Sequence, residues 1–107
     1  MSADRIRDLN DAFRRSLTGG RVMLTDGVMH LSIESRARLL KKVCTFEAFD
    51  AGNDPYGEHD FGTVDHAGEK YFFKIDCYDK DLLYGSENPA DPIVTTRVMT
   101  IMRADEY

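Results

Sequence analysis

KYFFKIDCY, residues Lys70 to Tyr78, is the stretch on which the fold turns. It is rich in aromatic and β-branched residues and contains no Gly or Pro, the composition of a strand. Because side chains alternate across a strand, Tyr71, Phe73, Ile75 and Cys77 share one face, while Phe72, Lys74, Asp76 and Tyr78 share the other. The first face is apolar and suits a core; the second mixes rings with ions and suits water. Immediately upstream, Phe61 to Asp65 reads as a second strand joined through an Ala67-Gly68 turn. Downstream, IVTTRVMTIM (Ile93 to Met102) reads as a long partner for Lys70 to Tyr78. An ion pair among Lys74, Asp76 and Arg97 would link these two long strands and fix their register.

Working outward, Ile6, Leu9, Phe13 and Leu17 recur at helical spacing, so a first amphipathic helix is expected over about Ser2 to Leu17, ended by Gly19-Gly20. Arg21 to Thr25 reads as a short strand. Asp26-Gly27 is a two-residue hairpin signal, which makes Val28 to Leu31 its returning strand. Ser32 is the N-cap of a second helix, with Ile33, Ala37, Leu40 and Val43 or Cys44 as its buried stripe and an end near Phe49. The expected fold class is α+β: two amphipathic helices packed on one face of a mostly antiparallel sheet of about four to five strands. A chain of 107 residues supports one core, so residues 1–107 are read as a single domain.

Charge is unevenly distributed. Residues 1–45 carry 9 Lys+Arg against 5 Asp+Glu, residues 46–92 carry 3 against 12, and residues 93–107 carry 2 of each. The middle segment therefore holds more than the whole net charge of −5. Such a surface repels phosphate, so no direct nucleic-acid partner is expected, and a basic protein surface is the complementary one. No apolar run is long enough for a membrane helix, and Met1 to Arg7 leads into charge; a cytoplasmic location without a membrane partner is expected. Cys44 and Cys77 are too few for a disulfide framework and are read as reduced core residues.

DAGNDPYGEHD, Asp50 to Asp60, concentrates turn-forming residues and reads as a structured loop. Its Asp54, Tyr56, Glu58, His59 and Asp60, with Asp76, Asp79 and Asp81, form the expected partner-binding face. Tyr78, Tyr84 and Tyr107 would add rigid contact area. A second reading gathers Asp54, Glu58, His59 and Asp76 around a divalent cation in a small metal-dependent hydrolase, since carboxylates with one imidazole suit Mg²⁺, Mn²⁺ or Zn²⁺. The plainer alternative is that Asp54 caps the turn before Pro55 and His59 is locked in a hydrogen-bond network. Asp60-Phe61-Gly62 matches the metal-binding tripeptide of kinases by chance, because no glycine-rich nucleotide loop, P-loop or nucleophile elbow accompanies it. No catalytic residue stands out, no cofactor is expected, and a non-enzymatic binding module is the leading reading. A sheet edge that pairs with a second copy is a third.

Several segments carry a resemblance across nearly the full length: Leu9 to Phe13, Gly19 to Val22, Asn53 to Gly62, Lys74 to Asp76, Tyr78-Asp79, Pro89 to Asp91, Thr96 to Val98 and Thr100 to Met102. In these the chain resembles a family of small uncharacterised bacterial proteins catalogued only as a domain of unknown function. It departs from that pattern at Phe73, where Trp is usual, and at Cys77, where Tyr is usual, both changes of packing. The resemblance implies a bacterial, cytoplasmic protein from plasmid- or phage-associated gene content and lends no activity or catalytic residue. Joined to the charge, it suggests an inhibitor of a basic or nucleic-acid-binding host factor.

Overall fold

In a computed structural model, which describes residues 2–107, the chain runs α1 (Ser2–Ser16), β1 (Arg21–Leu24), α2 (Asp26–Met29), α3 (Ile33–Cys44), β2 (Phe61–His66), β3 (Glu69–Tyr78) and β4 (Thr96–Arg103), then a 3₁₀ turn (Ala104–Glu106). The four strands form one sheet in the order β1-β4-β3-β2. β2 and β4 flank β3 antiparallel, and β1 joins the outside of β4 in parallel. The class is α+β, with a mixed sheet in which one of the three pairings is parallel.

The alternation along β3 sets the layers. Tyr71, Phe73 and Ile75 are buried and face Val64 of β2 and Met99 and Ile101 of β4 across the same side. Phe13 of α1, Val28 of α2, and Leu39 and Val43 of α3 close that core. On the opposite side Phe61, Phe72 and the C-terminal Tyr107 pack ring against ring at 5.1–6.1 Å, with the Lys74 ammonium over Tyr107. α1 ends where Leu17 takes a left-handed φ of 58°, and Gly19 repeats that conformation at 91°. Gly20 has a different reason to be glycine: a Cβ there would lie 2.6 Å from the Arg97 carbonyl oxygen and 2.8 Å from the Phe13 ring.

Five local expectations are corrected. The segment after Asp26-Gly27 is helical, not a returning strand: the Thr25 carbonyl accepts from the Val28 and Met29 amides, and Glu106, from the far end of the chain, accepts from the Gly27 amide at 2.9 Å and the Thr25 hydroxyl at 2.7 Å. β1 therefore pairs with β4. The second long helix, α3, stops at Cys44 instead of near Phe49, which frees Phe46 and Phe49 to pack against the core. Its buried residues are Leu39 and Val43, whereas Ile33 and Ala37 are exposed, so the apolar stripe is rotated from the expected one. β4 begins at Thr96, because Asp91 draws the Ile93 and Val94 amides into a turn before it. Finally, Lys74 pairs with Asp76 along its own strand at 3.2 Å, while Arg97 lies opposite Cys77 on the inner face, so no ion pair ties β3 to β4 there.

Candidate functional site

The Asp50–Asp60 loop organises itself through its own side chains. Asp50 Oδ1 accepts from the Gly52 and Asn53 amides, and Asn53 returns bonds to the Asp50 amide and the Ala48 carbonyl. Asp54 is buried, and its Oδ1 accepts from the Glu58 and His59 amides at 3.0 and 3.1 Å. That clamp holds His59 at a φ of 55°, a left-handed conformation that Asn, Asp and His adopt more readily than most residues.

His59 is held on every side. Its ring stacks on Phe49 at 3.8 Å with 3° between the planes. Nδ1 meets the Asp11 carboxylate at 3.0 Å, and Nε2 faces Asp54 at 3.5 Å. Asp11 also receives the guanidinium of Arg14 at 2.8 Å. Arg14 is completely buried, donates to the Val43 and Phe46 carbonyls, and lies 5.2 Å from the Phe49 ring centre. Burial alone would raise the Asp11 pKa; hydrogen bonds and positive charge from Arg14 and His59 outweigh it and leave it below the ordinary 3.8. A neighbouring pair completes the buried polar layer: Arg97 Nε donates to Asn10 Oδ1 at 2.8 Å, and Asn10 Nδ2 donates to the Glu58 carbonyl. This layer welds α1 to the loop, to the end of α3 and to β4.

The expected partner-binding residues thus divide. Asp54 is buried in the loop clamp, and His59, half-buried, is held in the network. Asp79 Oδ1 caps a turn by accepting from the Leu83 amide. Glu58, Asp60 and Asp76 collect where β2 begins and β3 ends, the Asp60 carbonyl accepting from the Ile75 amide across that end. Tyr56 and Asp81 are exposed. The expected metal set is not assembled: both His59 nitrogens face carboxylates, and among the described residues no three His, Cys, Asp or Glu side chains converge to hold a metal ion.

Asn10, Asp11, Arg14, Phe49 and Arg97 were not singled out for this polar layer from the sequence. One signal was there: Asn10 sits one turn after Ile6, inside the apolar stripe of α1, with Arg14 one turn further. A polar residue in such a stripe calls for a buried partner.

Electrostatics single out Glu58 and Asp60. Burial pushes both carboxyls up, and proximity adds to it: Asp60 and Asp54 act on Glu58, and Asp54 and Asp76 act on Asp60. A carboxyl raised in the folded state weakens the fold once it ionises, so stability is recovered as pH falls through the raised values. The penalty is absent below the ordinary 4.5 and 3.8. Glu58→Gln combined with Asp60→Asn is therefore expected to stabilise the chain at neutral pH and to change nothing in acid. Urea unfolding at both pH values checks this, and an equal effect at both would contradict it.

Among the described residues no helix is long and apolar enough to cross a membrane. No curated protein and no solved structure matches the chain. A family model described as "Protein of unknown function (DUF3768)" matches residues 24–106, a range that leaves α1 and most of β1 outside.

Proposed function

The chain belongs to the DUF3768 family, and from that premise we propose that it is a small acidic binding module that engages a basic protein surface in the cytoplasm. The carrying observation is that Glu58, Asp60 and Asp76 collect at one end of the sheet, where Lys74 pairs with Asp76 and, among the described residues, no salt bridge reaches the other two. Carboxylates in that state are stabilised by an incoming cation, and their field steers a basic partner toward them. Exposed Tyr56, Leu83 and Tyr84 lie in the two loops that border this end and supply apolar contact beside the charge. In a bacterial mobile-element setting, a basic or nucleic-acid-binding host factor is the natural target, and occupying its phosphate-binding surface would inhibit it.

The test neutralises two of the three clustered carboxylates, and the exposed Asp81 of the loop after β3, without unfolding the chain. Glu58→Gln, Asp60→Asn and Asp81→Asn together leave the Asp54 and Asp79 caps intact. A control triple, Glu34→Gln, Asp65→Asn and Glu69→Gln, removes equal charge elsewhere. Titrated with an arginine-rich peptide, the patch variant is expected to bind about tenfold more weakly and with a shallower salt dependence than the control. Affinity capture from bacterial lysate then asks whether a salt-released basic protein is lost with the patch variant alone. Equal binding by the two variants would sink the proposal.

A further inference from the structure

A cavity of about 310 Å³ opens between α1, the start of β4 and the connection that precedes it. It is at the lower end of the range of small-molecule sites. Its apolar wall is Leu9, Phe13 and Pro92; its charged members are Lys80 and Arg97. Among the described residues no carboxylate lines it.

Arg97 is the unusual member. Its side chain is deeply buried, with a residue exposure of 4 %. Its hydrogen-bond acceptors are neutral, Asn10 Oδ1 at 2.8 Å and the Pro89 carbonyl. The contrast with Arg14 is direct, since that equally buried guanidinium meets a carboxylate at 2.8 Å. A guanidinium has five N–H donors, and burying its charge without an anion is costly. Burial depresses the Arg97 pKa; Cys77, opposite it on β3, counters part of this, the nearby Arg5 charge depresses it further, and Glu58 opposes from beyond salt-bridge distance. Lys80 repeats the pattern at the rim: its ammonium donates to the neutral Thr95 carbonyl at 3.1 Å. Two cations without a carboxylate partner thus border one cavity, in a chain that is otherwise acidic.

We propose that this cavity binds a small organic carboxylate, its head between Arg97 and Lys80 and its aliphatic or aryl body against Leu9, Phe13 and Pro92. The anion supplies the charge that Arg97 lacks, and the body covers the apolar wall. The site adjoins the acidic end, since Asn10 links Arg97 to the Glu58 carbonyl, but this inference does not rest on the acidic-face reading.

The full-length chain is titrated with hexanoate, benzoate, neutral benzamide and inorganic phosphate, with binding followed by calorimetry and by amide shifts at Thr18, Gly19 and Lys80. Hexanoate or benzoate is expected to bind saturably, with benzamide and phosphate each about tenfold weaker or worse. Lys80→Ala, at an exposed position, is expected to weaken the carboxylate about tenfold. Ala12→Leu, which grows a side chain into the cavity from the exposed side of α1, is expected to abolish binding. The proposal is overturned if neither carboxylate saturates at millimolar concentration, if benzamide or phosphate matches benzoate, or if Ala12→Leu binds like the parent chain.

Discussion

Arg14→Leu is expected to destabilise the fold by about 3–5 kcal/mol, the cost of breaking a buried ion pair from one side. The guanidinium is fully buried, so the change leaves Asp11, 8 % exposed, facing His59 without its strongest partner. The Val43 and Phe46 carbonyls lose the Arg14 donors, Val43 keeping the Phe46 amide, and Phe49 loses the cation against its ring. Arg14→Lys keeps the charge but not the fork of donors that reaches three acceptors in different directions, so it is expected to recover only part of the loss. Urea denaturation followed by circular dichroism gives both values. The pH dependence adds a second readout. Asp11 is held below its ordinary value, so its contribution is present above 3.8 and lost as pH falls through the lowered folded value; in Arg14→Leu that acid-side decline is expected to shrink. A loss below about 1 kcal/mol would mean that the network is dispensable and the fold rests on apolar packing alone.

The same residue shows how far the sequence could be read. Period-two alternation in Lys70 to Tyr78 is a local property, and it placed Tyr71, Phe73 and Ile75 on the core face and the β2–β3 hairpin beside them. The spacing of Ile6, Phe13 and Leu17 placed α1 for the same reason. Thr25-Asp26-Gly27 was ambiguous because a hairpin turn and a helix start use the same residue types. What decides it is Glu106, whose bonds to Thr25 and Gly27 span about eighty positions. The parallel β1–β4 pairing is equally non-local and has no turn to announce it. In the candidate site, turn chemistry revealed the loop and the capping carboxylate Asp54. Charge alone could not say which arginines would be drawn inward, because Arg14 and Arg15 are adjacent in sequence and only the first is buried. Helix phase decides between them, and that phase is set by contacts to α3 and the loop.

Phe73→Ala is expected to cost a further class of energy, about 3–5 kcal/mol for a large ring removed from a fully buried position. The effect belongs at the upper part of that range because the ring is the hub between sheet and loop. Phe46 packs edge-on to it at 5.2 Å, Phe49 lies 6.3 Å away, and the Arg14 guanidinium is 5.7 Å from its centre. Across the β2–β3 ladder its partner is Gly62, where an added Cβ would stand 2.4 Å from the Phe73 ring and 2.9 Å from Phe46. The absence of a side chain at 62 is thus the space that the ring occupies. Gly62→Ala alone is expected to destabilise by about 1–3 kcal/mol through overpacking. In the Phe73→Ala background the same methyl enters a void, so the double variant should be more stable than the sum of the two losses by at least about 1 kcal/mol. Strict additivity would mean that the ring relaxes away from position 62 at little cost. Because Phe49, which packs against Phe73, also carries the stacked His59, hydrogen exchange in Phe73→Ala should rise first in the Glu58 and His59 amides that Asp54 holds, linking loss of core packing directly to the geometry of the acidic end.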